Sequence, residues 1–444
     1  MKRVKKFVTL ALAAMMLVGC GGNTGEEESP DVKIVKIWVH KSEAEDEGKV
    51  YSAVADLFNE QEIKTADGTK TIKMKLEFKN SAETLSNAIS SEILTGGLPD
   101  IVAVDAPNIA AYADAGILTS IDDYLTTETI DSYVSSVIEQ STIDGKIYAL
   151  SAMDAPTGLY YNKDLLKQVG YTDEDFGSIE NPWSWVDVKE AMAKLKEKGL
   201  SYQIKLNLGF GGDEGLMYLY SALVYSAGGD FITSEGKTEG ALNSEETLAG
   251  IRVLEDILRV DTNGDSWYYN GANTDALAAG EVAFEVFGPW SIASIKKNYP
   301  EFVNSYDIMP FPVYEDENGN KGSLAAGSGS WGFGVTPNAK DKDAAAKVLA
   351  YLTGPEASRL LYESIGTFPT HKSLFDEISD FHTGPLNSLA VILERAATPR
   401  PKMVNYPKLS SGYSKIISYI ETMHESEEYD LVGFINTQIA QIDR

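Results

Sequence analysis

In the stretch TIKMKLEF, Ile72, Met74, Leu76 and Phe78 alternate with Lys73, Lys75 and Glu77. That period of two predicts a strand with one wet face. Upstream, VKIVKIWVH (Val32 to His40) is nearly continuous in apolar residues and reads as a buried strand. Between the two, Val50, Val54, Leu57 and Phe58 recur at helical spacing. Ser81 is placed to cap a further helix carrying Leu85, Ile89 and Ile93 that stops at Gly96 and Gly97. LPDIVAVD then reads as a third strand, ending at Asp105. Strand, helix, strand, helix, strand predicts an α/β lobe with a largely parallel sheet.

Farther along, Ser184 with Asp187 three residues later marks a helix start, and Trp185, Val188, Met192 and Leu195 share its face before Gly199 ends it. Trp183 and Trp185 are therefore expected to be structural. Leu248, Ile251, Leu254 and Leu258 line a second helix, and AAAKVLAYLTGPEASRLL predicts a third. Glycine- and proline-rich junctions interrupt the periodicity at SAMDAPTG, LAAGSGSWG and GTFPTH. Three such breaks suit a chain that crosses three times between two lobes.

The N-terminus changes the picture. MKRVKK followed by FVTLALAAMMLVG has the charged head and short apolar run of a secretory signal, and the run is too short to span a bilayer comfortably. Directly after it stands Cys20, the single cysteine of 444 residues. Leu17, Val18 and Gly19 before it resemble the bacterial lipobox, which implies cleavage after residue 19 and a diacylglyceryl group on the Cys20 thiol. Acyl chains gain about 0.8 kcal/mol per buried CH₂, enough for two or three to hold a protein at a membrane without a spanning helix. Residues 20–30 would form the polar tether. Cleavage removes Lys2, Arg3, Lys5 and Lys6 and takes the net charge from −28 to −32. A surface of that sign repels phosphate backbones, so nucleic acid is excluded as a partner. With no second cysteine to pair, stability must come from apolar burial; hydrophobic residues make up 43% of the chain.

A set of motifs runs in order through nearly all of 32–444: IWVH, LTGGLPDIVAVD, DGKIYALSAMDAPTGLYYNKDLL, NPWSWVDVKEAMAKL, LAAGEVAFEVFGPWSI, GVTPNAKDKDAAAKVLAYLTGPEAS and TPRPKMVNYPKL. Together they resemble the family 1 extracellular solute-binding proteins of ABC importers, the relatives of maltose-binding protein. The resemblance implies an α/β, two-lobed periplasmic-binding-protein fold of type II with a multi-strand hinge. Carried over, one lobe is 31–151 with 328–368 and the other 152–327 with 369–444. It also implies a monomeric, lipid-anchored catcher of a sugar or oligosaccharide outside the cytoplasmic membrane, a permease partner, no cofactor and no catalysis.

A sugar offers CH faces and hydroxyls, so its site needs flat aromatic rings and short polar side chains. Trp290, after Gly288 and Pro289, falls where the family places a stacking ring, with a core role as its alternative; Trp331, after GSGS, stands at a crossing where glycines permit close backbone approach, with a structural role equally open. His40, Ser42 and Glu43 follow the first strand, and Asp105 ends the third, at the carboxyl edge where open α/β sheets bind ligands. Asp154 lies in the first crossing; helix capping is the alternative for both aspartates. Phe210, Trp267, and Tyr406 with Arg400 complete the candidates. DTNGD (Asp261 to Asp265) lacks the EF-hand glycine and terminal glutamate and reads as a solvated turn, so no metal is expected. GSGSWG matches GxGxxG in form only, since no helix opens directly from it. The rival readings are a glycoside hydrolase, or the same fold holding an amine or a glycerol phosphate.

Overall fold

The computed structural model describes residues 30–210, 212–259 and 266–444. Cys20, its tether and the DTNGD stretch lie outside the described residues. The strands are β1 (Val32–Val39), β2 (Thr71–Phe78), β3 (Ile101–Asp105), β4 (Thr142–Ile143), β5 (Lys146–Ile147), β6 (Ala149–Leu150), β7 (Met153–Asp154), β8 (Gly158–Asn162), β9 (Ile204–Lys205), β10 (Phe284–Phe287), β11 (Tyr306–Met309), β12 (Ala326–Gly327), β13 (Trp331–Val335), β14 (Phe368–Pro369) and β15 (Ala397–Thr398).

Two sheets organise them. The first has the order β2-β1-β3-β13-β6. Its β1, β2 and β3 are parallel, and β13 returns antiparallel between β3 and β6. The second runs β11-β8-β10-β9, with β8 antiparallel to both of its neighbours and β9 parallel to β10. Each sheet has its own core. Val35, Ile37, Val54, Phe58, Ile101 and Phe333 pack in one; Leu159, Trp185, Met217, Phe284, Ile416 and Ile435 pack in the other.

Local rules explain where the elements start and stop. Ser81 Oγ accepts from Thr84 N at 3.1 Å and opens the helix Ala82–Glu92. Ser184 and Asp187 form a reciprocal capping box on the helix Trp185–Glu197, and Trp183 and Trp185 are buried. Ser184→Ala is expected to cost about 1 kcal/mol, read as a lower urea midpoint, because the Asp187 amide loses its acceptor. Two expectations change. The single helix read across residues 344–361 is two, Lys342–Leu352 and Pro355–Ile365, since proline lacks the amide needed to continue a helix but suits a first turn. Leu57 is 38% exposed, outside the buried face formed by Val50, Val54 and Phe58.

Short strand pairs flank the crossings between the two bodies. β7 pairs antiparallel with β14, and β12 pairs parallel with β15. The segment after β15 was not read as a junction from sequence, yet it touches both bodies: Lys402 donates from Nζ to Glu139 O and Thr142 O beside the first sheet, before the chain enters the helix Tyr406–Met423 of the second core.

Candidate functional site

The register of β13 against β3 sets Trp331 opposite Asp105, so the ring stands at the carboxyl edge of the first sheet, which is where β1 also delivers His40. The His40 imidazole stacks on the Trp331 indole, with centroids 3.8 Å apart and planes 5° from parallel. His40 is buried and Trp331 half-buried. His40 Nε2 lies 3.2 Å from Glu47 Oε1, and neither ring nitrogen has a well-formed hydrogen bond among the described residues. Burial lowers the His40 pKa against the pull of Glu47. Burial would raise the Glu47 carboxyl, but His40, Lys41 and Tyr51 together hold it below its ordinary value. Glu47, whose Oε1 accepts from Tyr51 at 3.1 Å, was missed in the sequence; Glu43, which was named, is exposed, and Ser42 is half-buried in the turn that follows His40.

The second body contributes an aromatic cluster. Trp290 opens the helix Trp290–Asn298 directly after β10, and its six-membered ring closes on Gly288, where a Cβ would sit 2.4 Å from the indole. Phe210 stacks on Trp290 at 5.2 Å and 16°, Phe287 meets it edge-on at 5.2 Å, and Tyr218 approaches at 6.1 Å. Phe210, Phe287 and Trp290 are all half-buried, so the cluster keeps an open side. Tyr218 and Phe287 were missed because they sit inside apolar runs.

Between the two groups lies Arg400. One guanidinium nitrogen bonds Asp105 Oδ1 at 3.0 Å and the other pairs with Glu214 Oε1. Tyr406 Oη donates to Glu214 Oε1 at 2.6 Å and Ser410 Oγ to Oε2 at 2.8 Å. The Arg400 guanidinium also stands 5.8 Å from the Tyr218 ring, continuing the contact path to Trp290. Burial pushes the Asp105 carboxyl up to about 6, with Arg400 opposing and Glu214 adding to the shift. Arg400 and Tyr406 are buried with their polar groups engaged by protein, so they brace the site. Gly329, at φ +116°, lets the chain pass Arg400; a Cβ there would lie 2.9 Å from the guanidinium and 2.7 Å from Gln140 Oε1.

Asp154 is also engaged. Its carboxylate accepts from Ala155 N at 2.7 Å, Ser136 Oγ at 2.8 Å, and Ser328 Oγ and Gly329 N at 3.0 Å each. These four donors match a carboxylate's capacity. Beside it, a cavity of about 10 Å³ lined by Gln140, Ser151, Asp154 and Ser330 has room for one water and none for a sugar ring. Trp267 stands apart. It lies beside β9 at the far edge of the second sheet, where its carbonyl accepts from Gln203 N at 2.9 Å and Lys196 covers its ring at 5.1 Å. Among the described residues there is no group of three His, Cys, Asp or Glu suited to a metal ion, and no helix long and apolar enough to cross a membrane.

Known proteins share this architecture. The chain is 24% identical over 420 residues to the maltodextrin-binding protein MdxE of Bacillus subtilis, covering 93% of this chain and 91% of that protein. It is 24% identical over 384 residues to a maltooligosaccharide ABC transporter solute-binding lipoprotein of Streptococcus pneumoniae, covering 84% and 81%. Among solved structures, the sugar-binding protein MalE from Xanthomonas citri superposes with a TM-score of 0.73 at 17% identity, over 93% of this chain and 96% of that one. The cyclic α-maltosyl-1,6-maltose binding protein from Arthrobacter globiformis gives 0.72 at 19%, over 92% and 98%. These likenesses identify the fold as the two-lobed, maltose-binding-protein-like one. The profile of the bacterial extracellular solute-binding proteins matches residues 44–359, and with that match added to the fold the chain belongs to this family.

Proposed function

We propose that the protein captures a neutral oligosaccharide between its lobes and delivers it to the permease of an ABC importer. The observation that carries the reading is the pair of half-buried aromatic surfaces, Trp290 with Phe210 on one body and Trp331 on the other, joined by the polar bridge Asp105–Arg400–Glu214. A sugar stacked on each ring has its hydroxyls directed at that bridge. One stack is worth about 0.5–1.5 kcal/mol beyond burial, whereas micromolar affinity needs about −8 kcal/mol, so rings on both sides must act together. The maltodextrin and maltooligosaccharide specificities in the relatives' names support α-linked glucose chains as the first ligands to try.

The geometry favours this over its rivals. An amine would need a free carboxylate, and Asp105 and Glu214 already hold a guanidinium. A glycerol phosphate would need a free cation, and Arg400 is engaged twice. A glycoside hydrolase places its carboxylates on either side of the scissile bond; here Arg400 occupies the space between the two.

We further propose lobes of 31–151 with 328–368 and 152–327 with 369–444, acting as a monomer. A lipid on Cys20 would hold the chain on the outer face of the cytoplasmic membrane, which the printed description of the pneumococcal relative as a lipoprotein supports. Calorimetry against maltose to maltoheptaose, a polyamine and glycerol 3-phosphate tests the ligand class. Binding of the sugars alone is expected, with no new reducing ends after prolonged incubation; release of reducing ends would overturn the reading.

A further inference from the structure

We infer that the Arg400–Asp105 contact is a breakable latch between the lobes, one that favours the closed arrangement before any ligand arrives. The inference rests on the cleft reading above and adds a control on its opening. Asp105 ends β3 of the first sheet, while Glu214 lies in the first turn of the helix Gly212–Ser226, packed in the second core. Each body thus presents one carboxylate to a single guanidinium. Glu214 is bound by three groups, Arg400, Tyr406 and Ser410, and the last two sit on a helix of the same core. Asp105 has only Arg400 as its cationic partner among the described ion pairs. When the lobes part, Arg400 stays with Glu214 and the bond to Asp105 is the one that breaks.

The cost of that break sets the latch. The Asp105 and Arg400 side chains are 10% and 4% exposed, and separating a buried charge from its partner is penalised until water reaches it. The neighbouring tie is different. Lys402 reaches the first body through an ammonium that is only partly buried, which water rehydrates at a smaller cost. A ligand entering the cleft then binds a population already shifted toward closure, and its apparent affinity rises in proportion to the closed fraction.

The test begins without sugar. Small-angle X-ray scattering of the unliganded protein is expected to give a larger radius of gyration for Asp105→Asn than for wild type. The amide is isosteric and still accepts from Arg400, so the fold is retained while the charge is lost. Arg400→Lys, a point charge that cannot bond both carboxylates at once, is expected to give an intermediate value. With maltotetraose added, the Asp105→Asn protein should contract to the wild-type value and bind about tenfold more weakly, chiefly through faster dissociation. An unliganded radius of gyration unchanged from wild type in both variants would overturn the latch, even if the sugar binds as proposed. If the unliganded radius shifts but no sugar binds to wild type, the latch stands and the ligand assignment falls.

Discussion

Trp290→Ala is expected to weaken oligosaccharide binding by about 3 kcal/mol, roughly 150-fold, as measured by calorimetry. Two terms add. The indole is a half-buried member of a four-ring cluster with Phe210, Phe287 and Tyr218, so truncation removes the stacking surface itself. It also frees Phe210, whose own plane is held within 16° of the indole, to lose its orientation. Because the ring is half-buried, the loss in folding stability should be well below the about 3–5 kcal/mol of a fully buried tryptophan. Unchanged affinity in the folded variant would reject Trp290 as the central platform. Trp267→Ala supplies the contrast: its ring lies at the far edge of the second sheet, and affinity should be unaffected.

Asp154→Ala has its largest effect elsewhere. About 4 kcal/mol of stability is expected to be lost, seen as a lower urea midpoint, because four donors around the first crossing are left buried without an acceptor. Ser136 belongs to the first body and Ser328 to the crossing after β12, so the loss should fall on the junction between bodies. Asp154→Asn should recover only part of it, since its NH₂ faces donors. Sugar affinity, measured at a temperature where the variant stays folded, should remain within a few-fold of wild type. A variant that keeps its stability but loses the sugar would make Asp154 a ligand contact instead.

Much of both lobes was legible because their elements obey local rules. The alternation in TIKMKLEF returns as β2 over the same eight residues, and the Ser184 box forms as spaced. What sequence could not supply is pairing at long range. Arg400, Asp105 and Tyr406 were each visible as polar residues within motifs, but Glu214, which joins them, sits two residues before an apolar helical run and gives no signal beyond a carboxylate next to Asp213. Likewise Asp154 reads as an available acceptor until the fold brings Ser136, Ser328 and Gly329 around it. The split at Pro355 was written in the sequence and should have ended the helix there. His40 was placed correctly at the strand end, but its stacking partner arrives on β13, nearly three hundred positions later.

That late arrival bears on how the chain is made. Until β13 emerges, β3 has a bare edge and Phe333 and Val335 are missing from the first core, so the N-terminal part cannot complete its sheet until residue 335 of 444 has been made. Pairings between distant positions are slow to form, so the first sheet is expected to close late in folding. The interleaved connectivity thereby ties completion of the first sheet to synthesis of β8 to β12, which precede β13 in the chain.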